Sequence, residues 1–166
     1  NLGLERTKHI SRIIVNPQNP QVVYLGAMGK LFGKNSERGL YRSTNGGVSW
    51  EQINRPDQFH LMTGAISPHD PDTIVIGGEY GIYKSTNRGQ TWEDISSGIG
   101  TSQTKLSLDF SNDVLYIHSN INGANIGNIH AAPIGSRDFE LFRQNQNESL
   151  GYSYLAVNGD WYYFTL

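Results

Sequence analysis

The residues that could do chemistry are few. Asp57, Glu79, Asp109 and Asp113 stand in stretches that read as loops or strand ends, and paired carboxylates are what acid–base cleavage of a glycosidic bond requires. That reaction also needs the two groups at a defined separation across a cleft, and acids in β-loops ordinarily serve as solvated groups or turn formers. None of the four is assigned a catalytic role. His9, His60, His69, His118 and His130 show neither a His-x-His nor a His-x-x-x-His spacing, so no metal centre is expected. Asp70-Pro71-Asp72 takes the place that Asn19-Pro20-Gln21 holds earlier in the chain, which makes it turn chemistry rather than a calcium loop. Cysteine is absent, removing thiol chemistry and disulfides, and no cofactor is expected.

A denser cluster of polar and aromatic groups occurs twice. Ser43-Thr44-Asn45-Gly46-Gly47-Val48-Ser49-Trp50 is matched, 42 residues on, by Ser85-Thr86-Asn87-Arg88-Gly89-Gln90-Thr91-Trp92. Hydroxyl, amide and indole together suit a sugar, but the same types also suit a hairpin turn. Asn accepts hydrogen bonds from nearby backbone amides, Gly supplies a positive φ, and Trp lies across the turn and seals it. Recurrence favours the turn, because a repeated folding need explains repeated residues better than a single binding site does. Ser43, Asn45, Gly47 and Trp50, with Ser85, Asn87, Gly89 and Trp92, are accordingly structural, and both indoles are expected to be buried or nearly so at equivalent positions.

The elements around these turns repeat as well. Gly39-Leu40-Tyr41-Arg42 precedes the first turn and Gly81-Ile82-Tyr83-Lys84 the second, at the same 42-residue offset. Upstream, residues 14–24 pair with 65–75 at an offset of 51, and the nine-residue difference is an insertion within Ala27 to Arg38. Apolar and β-branched runs of four to six residues, separated by Pro, Gly and Asn, read as four short strands per repeat. A third repeat keeps the same rhythm, and a fourth is cut short. A tandem unit of four antiparallel strands is the footprint of a β-propeller blade, which gains a core only by stacking on its neighbours. The expectation is an all-β partial propeller over residues 1–166, with blades at 10–53, 64–95, 106–142 and a partial one at 153–166. Further blades are expected from the same parent chain or from another copy.

The repeated turn resembles the Asp-box, or bacterial neuraminidase repeat, Ser-x-Asp-x-Gly-x-Thr-Trp, with Asn in the Asp position and Ser49 in place of one Thr. The stretches Gly3 to Val15 and Met28 to Gly39 are similar to parts of large bacterial Asp-box proteins related to the sortilin ectodomain, and the likeness covers the first 95 residues. That group, with the xyloglucan-degrading endoglucanases and sialidases that share the box, implies a secreted or cell-surface propeller. Sialidases carry a Phe-Arg-Ile-Pro element and an arginine triad. Ser11-Arg12-Ile13-Ile14 lacks the Phe and the Pro, so that activity does not carry over.

The propeller topology puts the box turns at one end of each blade and other loops at the opposite end, where binding is expected. Those loops are Met28 to Arg38, Asn54 to Met62, Glu79 to Tyr80, Ser96 to Lys105 and Ser119 to Ile126. Phe32 and Tyr80 offer flat apolar surfaces, and Lys30, Arg38 and Glu79 directed hydrogen bonds, a combination suited to a sugar or a peptide loop. Thirteen Lys and Arg against fifteen Asp and Glu, intermixed, leave a net charge of −2 and advertise no nucleic-acid partner. No apolar stretch approaches the roughly 20 residues needed to span a bilayer, so no membrane insertion is expected. Asn1 to Lys8 are polar and lack an initiator Met, reading as a mature or excised segment, and Asn147-Glu148-Ser149 fits a glycosylation sequon. The reading is a noncatalytic binding or scaffold propeller that recognises a polysaccharide or a protein outside the cytoplasm. The alternative is a fragment of a secreted glycoside hydrolase of the xyloglucanase or sialidase type.

Overall fold

The computed structural model describes residues 3–5, 7–30, 36–53, 61–78, 81–97, 99, 103–111, 114–121, 127–133, 135–136, 138–144, 153–158 and 160–165. Among these the regular elements are all strands. The first sheet is the meander β1 (His9–Val15), β2 (Val23–Gly29), β3 (Gly39–Ser43) and β4 (Glu51–Ile53). The second is β5 (Leu61–Ile66), β6 (Ile74–Gly78), β7 (Gly81–Ser85) and β8 (Glu93–Asp94), and the third is β9 (Gln103–Ser111), β10 (Val114–Ile121), β11 (Gly127–Pro133) and β12 (Glu140–Gln144). A hairpin of β13 (Ser153–Asn158) and β14 (Asp160–Thr165) follows, and every pairing is antiparallel.

Local chemistry sets the turns. Between β1 and β2 the Asn16 side-chain oxygen accepts the backbone N–H groups of Gln18 and Asn19 at 2.9 and 3.1 Å, folding the chain at Pro17. Between β5 and β6 the Ser67 hydroxyl accepts the Asp70 N–H, and Asp70 in turn takes the Asp72 N–H and the Thr73 hydroxyl. Different side chains thus satisfy the same bend. The insertion expected from the repeat offset lies where the nine-residue connection 30–38 joins β2 to β3, against the two residues 79–80 that join β6 to β7.

Alternation along the strands gives the first two sheets two apolar faces each. In the first sheet Tyr24, Leu40 and Ile53 face the second sheet and meet Ile66, Ile74 and Ile76 there, with Ile14, Val22, Tyr83 and Trp92 packed around them. On the far side of the second sheet Val75, Ile82, Ile95 and Ile99 meet Leu115 and Ile117 of the third, with Ala65 and Phe139 at the margin. The first strands of successive sheets are neighbours, β1 on β5, β5 on β9 and β9 on β13. Sheets stacked face to face with their first strands on one side are the blades of a partial β-propeller. Each fully buried Ile or Leu in such a joint contributes about 1.5–3 kcal/mol, so the blade-to-blade contacts rather than the isolated sheets supply the core.

Trp50 and Trp92 hold equivalent places just before β4 and β8, and both are half-buried. Trp92 packs on the joint between the first and second sheets. Trp50 packs with Leu4 on Leu25, Ala27 and Tyr41, on the face of the first sheet directed away from the second.

Candidate functional site

At one end of the blades the two Ser-x-Asn turns have the same geometry. The Ser43 hydroxyl donates to Asn45 Oδ1 at 2.9 Å while its oxygen accepts the N–H groups of Asn45 at 3.3 Å and Gly47 at 2.8 Å. Asn45 Oδ1 also accepts the Ser49 N–H at 2.9 Å, and Asn45 Nδ2 donates to the Ser49 hydroxyl at 2.8 Å. Ser85, Asn87, Gly89 and Thr91 repeat these contacts. Each turn is then hooked to the preceding hairpin, through Gly46 N–H to Gln21 O at 2.8 Å and Arg88 N–H to Asp72 O at 3.0 Å. The serine and asparagine groups are spent on the fold, leaving them little capacity for a ligand.

The cations divide by location. On the turn side Arg42 pairs with Glu51 at 2.5 Å, Arg88 with Asp72 at 2.6 Å and Lys84 with Glu93 at 3.9 Å. The pairing with Asp72 pushes the Arg88 pKa up. Arg42, Glu51, Gln52, Ile53, Arg88, Gly89 and Gln90 line a polar notch of about 250 Å³ where the first blade's outer strand meets the second blade's turn. The sequence reading did not pick out this notch, although the basic residue recurring after each Gly-aliphatic-Tyr was its signal. Tyr24 lies beneath it, fully buried; burial raises its pKa and the nearby Arg42 charge partly offsets that.

At the opposite end Lys30 is exposed beside β2 and Lys8, bridged to Gly29, is exposed too, and among the described residues neither has an ion-pair partner. Lys8 holds a φ of 59°, uncommon for a residue with a Cβ. Arg12, midway along β1, is also exposed, with no ion-pair partner among the described residues. His9 reaches the Gly29 carbonyl through Nδ1 at 3.1 Å. Arg38 is committed to the loop itself, donating to Met28 O at 2.9 Å and Lys30 O at 2.8 Å, while the Tyr41 hydroxyl donates to Glu37 O at 3.0 Å. Burial, with Glu37 nearby, raises the Tyr41 pKa. Lys30 and Arg38 therefore share one end of the first blade; Phe32, Glu79 and Tyr80 lie outside the described residues. Among the described residues no group of three or more His, Asp or Glu converges as metal ligands would.

His130 is a titratable group in the third blade's core. It pairs across strands with Ile117, as Tyr83 does with Ile76, so an imidazole stands where the earlier blades have a tyrosine. It is 8% exposed, its Nδ1 has no partner, and burial lowers its pKa from 6.5. The unfolded imidazole binds a proton more tightly than the folded one. Its contribution to stability is therefore complete above pH 6.5 and is lost as the pH falls below that value towards the folded pKa. The expected result is an acid limb in the unfolding midpoint below about pH 6.5 that flattens in His130→Tyr. An unchanged limb in that variant would assign the acid sensitivity to other groups.

No family model and no curated protein matches the chain. Solved structures do. The Niastella koreensis GH74 enzyme superposes with a TM-score of 0.67 at 22% identity over 87% of this chain. YCF48 from Cyanidioschyzon merolae gives 0.60 at 15% over 84%, and a structure of YCF48 bound to D1 peptide gives 0.57 at 17% over 82%. The chain spans 24% of the GH74 enzyme's length, and 38% and 42% of the two YCF48 chains. At these identities the likeness establishes the fold, a propeller-type repeat.

Proposed function

We infer that residues 1–166 are one partial propeller, with blades at 10–53, 64–95, 106–142 and 153–166, acting as a noncatalytic binding or scaffold module outside the cytoplasm. The Ser-x-Asn turns are read as Asp-boxes, with Asn45 and Asn87 in the Asp role. The ligand is a polysaccharide or a protein, bound at the end built from connections 30–38, 54–60 and 79–80. The observation that carries this is the asymmetry between the two ends: serine, asparagine and cations on the turn side are internally paired, whereas Lys8 and Lys30 at the other end are exposed, with no ion-pair partner among the described residues. Phe32, Glu79 and Tyr80 would complete the surface, with Arg38 holding the base of the loop in place. YCF48, which shares the fold and is seen with a bound peptide, supports the protein arm of the reading.

The second reading, a fragment of a secreted glycoside hydrolase, draws on the GH74 neighbours. It requires two carboxylates facing each other across a cleft about 5–10 Å apart in the completed ring. Screening the chain against glycan and peptide arrays separates the readings, together with an assay for release of reducing ends from xyloglucan. Replacing residues 30–38 with the two-residue connection found between β6 and β7 is expected to abolish binding and leave the far-ultraviolet spectrum unchanged. Binding that survives this change and is lost in folded Asn45→Ala or Asn87→Ala would move the site to the boxes.

A further inference from the structure

The joint between the first two blades is held by two side-chain clamps as well as by its core. Gln18 Nε2, in the first blade's β1–β2 turn, donates to the Pro68 carbonyl of the second blade at 2.8 Å. Arg42 Nη1, whose guanidinium is braced by Glu51, donates to the Arg88 carbonyl at 2.8 Å. Beside that clamp Ile53 packs on the second blade's turn, where a Cβ on Gly89 would lie 3.1 Å from it. Both acceptors are main-chain groups of turns that recur. The repeat offsets place Pro17 where Pro68 stands and Gly46 where Arg88 stands, so the first blade presents the same two carbonyls on its own far side.

That far side is an apolar face left partly open. Ile10, Ile13 and Val15 all project from β1 towards it, as their pairing with Ala27, Leu25 and Val23 requires, and are 42%, 56% and 51% exposed. The counterparts of Val15 and Ile13 in the second blade are covered. Ile66, at the Val15 position, is 8% exposed, and a Cβ on Gly64, at the Ile13 position, would meet Ile14 of the first blade at 2.7 Å. The Trp50 indole N–H, on the same face, is buried without a partner.

We propose that this face receives another four-stranded blade of the same repeat, clamped to the Pro17 and Gly46 carbonyls by donor side chains at its own Gln18 and Arg42 positions. The occupant is fixed by continuity with the joint already present in the chain. It must bring an apolar face like Tyr24, Leu40 and Ile53, a first-strand aliphatic to cover Ile13 and Val15, and two donors spaced as Gln18 and Arg42 are. A blade whose third strand ends in Tyr-basic-Ser, as both Tyr41-Arg42-Ser43 and Tyr83-Lys84-Ser85 do, meets the second clamp. The proposal rests on the reading of the chain as part of a larger ring.

The test duplicates residues 10–60 within the full chain, so that residue 60 is followed by a second copy of residue 10 as it is natively followed by residue 61. The chain has no cysteine, so Val15→Cys in the downstream copy is a single thiol whose alkylation rate reads the cover over that face. In the unduplicated chain Val15→Cys should label readily. In the duplicated chain labelling should slow by roughly tenfold or more, the rate then following opening of the new joint. Gln18→Met with Arg42→Met in the upstream copy should return most of the lost rate. An undiminished rate in the duplicated chain overturns the receptor face, and protection indifferent to the two methionine changes overturns the clamp. If the thiol is protected while the chain binds nothing on the arrays, the binding reading fails and the receptor face stands.

Discussion

Ile76→Ala is expected to lower the stability of the chain by about 2–5 kcal/mol, the range for removing most of a buried aliphatic side chain from a core that collapses only partly around the void. Ile76 is 1% exposed and sits with Tyr24, Leu40, Ile53, Ile66 and Ile74 in the joint between the first and second blades. In a chain of this size the loss corresponds to a fall of roughly 4–20 °C in the unfolding midpoint. A blade stands by stacking, so damage to this joint also weakens the hold on the first sheet. The matching control is Ile13→Ala, at a side chain 56% exposed on the open face, which is expected to cost less than about 1 kcal/mol. Equal losses at the two positions, measured by calorimetry or chemical denaturation, would mean that the joint does not carry the stability assigned to it.

The second large effect is expected at Gly89→Val. Gly89 has a φ of 84°, and a Cβ there would lie 3.1 and 3.2 Å from the Ile53 side chain and 3.2 Å from the Trp92 ring. A β-branched residue adds left-handed strain to a clash between blades, together about 2–5 kcal/mol. Gly46 makes the contrast. Its φ is 67°, yet the equivalent residue of the second turn is Arg88 at φ 59°, so this position tolerates a side chain. Gly46→Asn is expected to cost about 1 kcal/mol or less, since Asn enters the left-handed region more easily than most residues. A variant ranking in which Gly46→Asn is the worse of the two would sink the argument that interblade contact, rather than turn conformation alone, demands Gly89.

What could be read from the chain in advance was whatever depends on neighbours in sequence. The strand rhythm, the Asn and Gly turns and the 42- and 51-residue offsets all rest on backbone preferences and short-range hydrogen bonds, and these disclosed the all-β, blade-by-blade architecture and the insertion between β2 and β3. The pairing of Asn45 with Ser43 and Ser49 belongs here too, because each partner lies within four residues of it.

What the tertiary structure alone decided concerns groups far apart in the chain. Sequence spacing does not say that Arg42 spends its guanidinium on Glu51 and on a carbonyl 46 residues away, or that Arg38 bonds the carbonyls of Met28 and Lys30. Nor does it distinguish Ile13 from Ile14. The two are adjacent and chemically identical, but alternation along β1 sends Ile14 into the joint with the second blade and leaves Ile13 half-exposed on the open face. The surroundings of Trp50 and Trp92 have the same origin: the motif sets each indole beside its turn, while the fold sends Trp92 into the joint between two blades and Trp50 onto Leu4 and the outer face of the first.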